Sequence, residues 1–307
     1  MGLGVHSIAL SAGGQRLAYV AYAARGNVWS VPIPSTGTVD VSSATAVTAG
    51  NQIVEGLQVS RDGRWLVYDS TLYGNSQIFR VPIAGGPVER LMIDAADNFN
   101  ADLSPDGSTV VYHSFRLGNR DVFVQGTDGG QAQPVTSSGP EGQESYPLWA
   151  PDRETILFRD QLRGNMQFIF RRTPSGAWGE PVAVQGASGS GSWLPDGRSL
   201  VYASRGALNV VATDGGSPRL LYAPASGSTD PRVERAVVSD DGARSISRAT
   251  TRAGWRRSGQ SRSGAADPDS SSGSAQRRRR FAATSRRAPA GCTSLSKIGR
   301  QISSSPT

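Results

Sequence analysis

A β-propeller of four-stranded antiparallel blades is the fold class this sequence predicts, and three observations predict it. A turn signature recurs six times, with its fourth position at Gly14, Gly63, Gly107, Arg153, Gly197 and Gly242. The intervals are 49, 44, 46, 44 and 45 residues, a period that belongs to repeat architectures. Short runs rich in β-branched and aromatic residues alternate with Gly-containing turns, the grammar of hairpin-linked strands.

Each unit reads the same way. A short, partly apolar stretch comes first, as at 55–60 and 146–150. An Asp-Gly turn follows, where glycine supplies a positive φ and the aspartate bonds nearby backbone N–H groups. The second strand is Leu66-Val67-Tyr68, Val110-Val111-Tyr112, Ile156-Leu157-Phe158 or Leu200-Val201-Tyr202. Gly-Asn loops then lead to third strands at 28–31, 78–81, 122–124, 168–170 and 208–211. Gly-Gly turns at Gly85, Gly129 and Gly215 precede a weaker fourth strand, such as 88–92 or 219–222. Trp29, Phe79, Phe123 and Phe168 recur in the third strand and are expected to pack between blades. Five complete blades are expected. The sixth shows only its first strand, 233–239, before the pattern stops, although six blades are expected of an intact parent. Two turns depart from the pattern: unit one has Ala12-Gly13-Gly14, and unit four has Arg153 where glycine is due, so its turn should differ.

Charge divides the chain after Gly242. Residues 243–307 carry 13 Arg and one Lys against Asp267 and Asp269, a net of +12. Residues 1–242 therefore stand at −5, which offers no cationic footprint for a nucleic-acid backbone. The tail lacks strand or helix periodicity and is expected to be disordered. With Arg outnumbering Lys 31 to 1, its Arg/Ser/Ala composition suits a frameshifted gene end; a genuine basic arm is the alternative. The expected organisation is a propeller over 1–242 and a basic tail over 243–307.

The best repeat copies, SPDGSTVVYHSFRLGNRDVFVQGTDGG from Ser104 and SRDGRWLVYDSTLYGNSQIFRVPIAGG from Ser60, resemble the TolB-type, WD-repeat-like propeller repeat. The resemblance covers about residues 5–242 and is specific for fold. Similar repeats occur in periplasmic TolB, in propellers attached to bacterial serine/threonine kinases and regulators, and ahead of prolyl-oligopeptidase-like hydrolases. The resemblance implies a bacterial, kinase- or regulator-associated binding module working outside the cytoplasm. No signal peptide is visible at the start of the chain, so a cytoplasmic site is expected if the chain is complete. No run of 18 apolar residues is present to span a membrane.

Catalytic patterns are missing. There is no G-x-S-x-G elbow, P-loop or G-x-G-x-x-G, and no kinase signature. Two histidines, His6 in the start of the chain and His113 in a second strand, are too few for a histidine metal site, and Cys292 is the single cysteine. Asp62, Asp106, Asp152, Asp196 and Asp241 fall in separate blades and read as turn residues. No metal, cofactor or enzymatic activity is expected. Two functions remain open: a binding module for a protein or peptide, or the non-catalytic propeller of a larger kinase or peptidase. A small-ligand sensor using the axial channel is a third. Loops entering the first strand and loops joining the second to the third share one face of a propeller. That face collects Glu55, Asn75, Asp97, Asn100, Arg116, Asn119, Glu144, Tyr146, Arg163 and Asn165, the expected partner-binding surface. A monomer is expected unless exposed strand edges pair.

Overall fold

Each repeat is organised by its turn. In the computed structural model, which describes residues 4–10, 17–22, 26–32, 41–226, 232–238, 245–250 and 294–296, four of the six turns are visible. Ser60 Oγ donates to Asp62 Oδ1 at 2.6 Å and accepts from the Trp65 N–H at 2.9 Å. Ser104, Asp106 and Thr109 repeat this at 2.6 and 3.0 Å. Gly63, Gly107 and Gly197 take φ of 70°, 72° and 65°, where L side chains are disfavoured. The fourth unit corrects the sequence reading, because its turn does not differ: Arg153 adopts φ 64° in the same place. Asp152 Oδ1 holds it by accepting from the Glu154 and Thr155 N–H groups at 2.8 and 2.9 Å.

Strands follow in order. β1 (Gly4–Leu10) pairs with β2 (Leu17–Tyr22), and β3 (Trp29–Ser30) pairs with β4 (Thr45–Ala46). Four meandering four-stranded sheets come next. Blade I holds β5 (Leu57–Val59), β6 (Trp65–Ser70), β7 (Gln77–Pro82) and β8 (Glu89–Arg90). Blade II holds β9 (Asn98–Leu103), β10 (Thr109–Ser114), β11 (Asp121–Gly126) and β12 (Gly129–Pro134). Blade III holds β13 (Glu144–Trp149), β14 (Thr155–Asp160), β15 (Met166–Arg171) and β16 (Val182–Ser188). Blade IV holds β17 (Ser190–Trp193), β18 (Ser199–Ser204), β19 (Ala207–Ala212) and β20 (Arg219–Tyr222). A last sheet joins β21 (Arg232–Val238), β22 (Ser245–Thr250) and β23 (Ser294–Ser296). Among the described residues the only helical turns are two three-residue 3₁₀ segments, Val41–Ser43 and Gly139–Glu141, and no helix is long and apolar enough to cross a membrane.

The blade count is thus four complete blades among the described residues, not five with the start of a sixth. Unit one is divided between two two-stranded sheets. Its third strand has two residues, and Trp29, expected between blades, is 62% exposed. The strand therefore lacks the length and the buried face of β7. Unit six corrects the opposite way: β21 does not stand alone, because Val238 lies opposite Ser245 and Ser247 opposite Ser296. Backbone N–H and C=O groups make this ladder, so the polar string Ser-Ile-Ser-Arg-Ala-Thr can join it without an apolar face. β22 and β23 fall in the segment expected to be disordered, and β1 includes His6, expected in a frayed start. The turns at Gly14 and Gly242, and the remainder of the basic tail, lie outside the described residues.

The core lies between blades, as period-two alternation requires. Val67 and Ile78 of blade I meet Val110, Tyr112 and Phe123 of blade II. Val111, Val122 and Val124 of blade II meet Ile156, Phe158 and Phe168 of blade III. Leu157 and Ile169 of blade III meet Trp193, Leu200 and Tyr202 of blade IV. Neighbouring residues on one strand, such as Leu157 and Phe158, therefore serve different interfaces. Each blade depends on the next for burial, so stability is a nearest-neighbour property.

Candidate axial binding site

In blades II and III the first strand is interrupted at one place. Pairing of β9 with β10 shifts register between Phe99 and Asp102, and pairing of β13 with β14 shifts between Ser145 and Leu148. The bulged residues, Asn100 and Tyr146, take φ of 52° and 55°. A bulge redirects the side chain it carries, and both residues line a cavity of about 30 Å³ where the first strands converge. Counted from the turn glycine or its equivalent, both sit seven positions back. The same count in the other units gives Gly56, Ser190 and Arg235, which also line the cavity. Five successive units thus send the same repeat position to one axial pocket.

A second repeat position stands behind the first, six residues after the turn: Asp69, His113, Arg159 and Ala203. In blade I the buried Asp69 accepts the Glu55 N–H at 2.7 Å, the Gly56 N–H at 3.0 Å and the Asn100 N–H at 2.9 Å. It therefore fixes the axial strands of blades I and II together. Burial pushes its carboxyl above the usual carboxylate range in spite of these donors. His113 stacks on Phe99 at 5.6 Å and lies 6.2 Å from the Tyr146 ring. Burial first, then the Arg120 and Arg159 charges, lower its pKa to about 3, so the imidazole is neutral. In blade III the guanidinium of Arg159 lies 4.2 Å over the Tyr146 ring. Its Nε is buried with no hydrogen-bond partner.

The cavity wall is completed by Gln58, Ala101, Pro147, Leu148, Phe158 and Gln167, among others. Its charged members are Arg159 and Arg235; no aspartate or glutamate lines it. Gln167 is 1% exposed, and its Oε1 has no partner. Among the described residues no group of three His, Cys, Asp or Glu side chains is arranged to hold a metal ion.

The structure distributes the ten sequence-selected residues among three settings. Asn100 and Tyr146 line the cavity. Glu55, Arg163 and Asn165 are exposed. Arg163 pairs with Asp160 at 3.2 Å. The others mainly brace loops. Asn75 Nδ2 donates to the Ala96 carbonyl at 2.8 Å, and Asp97 accepts the Ser76 N–H at 2.7 Å. Asn119 Nδ2 donates to the Gly139 carbonyl at 2.5 Å, and Arg116 pairs with Asp94 at 2.7 Å over the Phe123 ring. Glu144 is 5% exposed, accepts the Ser138 hydroxyl, and is pushed above its ordinary pKa by burial. Sequence reasoning missed Gly56, Ser190, Arg235, Arg159 and Gln167. The first three were available by counting seven back from each turn.

The TolB beta propeller domain family matches residues 5–232. Over 129 residues the chain is 31% identical to Atu1656 of Agrobacterium fabrum (strain C58), covering 39% of this chain and 44% of that protein. It is 33% identical over 129 residues to the uncharacterized peptidase YuxL of Bacillus subtilis (strain 168), covering 42% of this chain and 19% of the peptidase. The chain thus spans less than half the length of these curated relatives. A solved TolB candidate from Agrobacterium tumefaciens superposes with TM-score 0.51 at 19% identity, over 72% of this chain and 82% of that one. Four-stranded blades, axial first strands and a family match over most of the length agree: the chain belongs to the TolB β-propeller domain family.

Proposed function

We propose that this propeller is a non-catalytic binding module that receives a segment of a protein or peptide partner at the axial end of its first strands. One observation carries the reading: five successive units contribute the same repeat position, seven residues before the turn, to a single pocket. A rigid scaffold with convergent polar groups at a concave end is where propellers and other repeat folds can offer binding specificity. Asn100 and Tyr146 join the pocket to the rim formed by Glu55, Arg163 and Asn165. The sequence carries no nucleophile-elbow pattern, which favours binding over hydrolysis.

A second reading places this propeller as the accessory part of a larger hydrolase, and the shared segment with the peptidase YuxL favours it. The two readings use the same surface. A photo-crosslinking amino acid at position 146 tests the surface, with position 83 on the turn face as the control. Ile83 is 42% exposed, so both positions are accessible. Adducts to a partner in the native host should form from 146 and not from 83. Equal adducts from both, or adducts from 83 alone, refute the axial reading.

A further inference from the structure

We infer that the axial pocket takes the side-chain carboxamide of an asparagine or glutamine presented by the partner, an assignment that rests on the binding function proposed above. Gln167 of β15 supplies the first observation. It is 1% exposed and stands at the cavity wall. Its Nε2 donates to the Gly189 carbonyl at 3.3 Å, which sets the direction of the amide, and its Oε1 accepts nothing. A Cβ at position 191 would collide with that oxygen, so glycine there leaves the carboxamide its place at the wall. A buried acceptor without a donor asks for an N–H from a ligand.

The rest of the wall says what kind of N–H. Gln58 of blade I and Asn100 of blade II line the same cavity. Asn100 is held through its backbone N–H on Asp69, and a Cβ at position 56 would crowd its carboxamide carbon at 2.9 Å. Among the described residues neither side-chain amide is engaged in a hydrogen bond, and each can both donate and accept. Three consecutive blades thus bring three uncharged amides to one cavity.

The charged groups of the wall are already occupied. Arg159 is hydrogen-bonded to Tyr146, and Arg235 has a partner of its own within the chain. Their positive charge, with no carboxylate in the wall to offset it, excludes a lysine ammonium as the missing donor. A neutral donor is required. A carboxamide answers both needs on one flat end group: its N–H faces Gln167 Oε1, and its carbonyl accepts from the amides of Asn100 or Gln58. The cavity of about 30 Å³ holds an end group of this size but not a sugar ring, so the rest of the partner would lie on the rim.

The test uses the full chain and three fluorescein-labelled pentapeptides, Gly-Ser-X-Ser-Gly, with X glutamine, glutamate or methionine, read by fluorescence polarisation. The three side chains are of nearly equal length. The glutamine peptide should bind about tenfold or more tightly than the other two, since neither offers an N–H to Gln167 Oε1. Gln167→Met should abolish that preference, Gln58→Leu should reduce it, and the exposed Arg198→Gln should leave it unchanged. Near-ultraviolet circular dichroism checks folding, and if Gln167→Met unfolds, Gln58→Leu decides. Equal binding of the glutamine and methionine peptides would show that water satisfies Gln167 Oε1, and it overturns the carboxamide assignment. An unchanged preference in the folded glutamine variants, tighter binding of the glutamate peptide, or no binding of the glutamine peptide at about 10 mM also overturns it. In each of these cases crosslinking from position 146 would still uphold the binding module, and its absence would sink the module as well.

Discussion

Replacing Asp69 with alanine removes a side chain that holds two axial strands by backbone donors. Its carboxylate accepts the N–H groups of Glu55, Gly56 and Asn100, at 2.7, 3.0 and 2.9 Å. Asp69 is 0% exposed, and alanine leaves a small void that admits water poorly. An orphaned donor costs about 1 kcal/mol or more, so three place the loss near 3 kcal/mol. Asp69→Asn keeps one acceptor oxygen but turns an amide N–H₂ toward the donors, and should lose about 2 kcal/mol. Urea denaturation followed by tryptophan fluorescence measures this as a lowered midpoint at unchanged slope. The Asn100 bulge should loosen at the same time, because its N–H is fixed by the second carboxylate oxygen. A loss below about 1 kcal/mol for the alanine variant would show that water replaces the carboxylate, and that Asp69 does not join blades I and II.

Three further outcomes follow from single residues. Arg153→Gly should stabilise the protein by about 1 kcal/mol in the same urea titration, since it relieves a positive φ and gives up only an exposed 3.4 Å ion pair to Asp106. His113 has a folded pKa of about 3 against an ordinary histidine value of 6.5, so the unfolded chain binds the extra proton. Stability should therefore fall as pH drops from 6.5 toward 3, by up to about 1.4 kcal/mol per pH unit, and His113→Phe should reduce that slope in pH-dependent melts. Gly191→Ala drives a methyl against Gln167 Oε1 at the axial pocket, so it should reduce crosslinking of a partner from position 146 while the four blades keep their circular dichroism spectrum.

Much of the fold could be read because turn chemistry and alternation repeat. Ser104-Pro105-Asp106-Gly107 announces a turn by residue type alone, and Val110-Val111-Tyr112 announces a strand buried on both faces. The count of blades could not be read so well. β3 has the residue types of a third strand but only two paired residues, and β22 pairs through its backbone without an apolar pattern to advertise it. Arg153 was misleading for a related reason: two backbone bonds to Asp152 hold it in a conformation that its side chain disfavours. At the site, the sequence pointed to polar loop residues, yet Asn75 and Asn119 spend their amide groups, and Glu144 one carboxylate oxygen, on neighbouring loops. Polarity alone does not separate a brace from a ligand contact. Repeat position does better, because the residue seven positions before the turn lines the axial pocket in each unit from Gly56 to Arg235.

The central claim is that ligand enters at the axial pocket. A photo-crosslinking amino acid at position 146 of the full chain, photolysed in the native host and compared with one at position 83, tests it most directly. Adducts to a partner are expected from 146, beside Asn100 and Ser190 in the axial pocket, and not from 83. Adducts formed instead from 83, in the turn-face hollow of Gly63, Trp65, Pro82 and Ala84, would contradict the account.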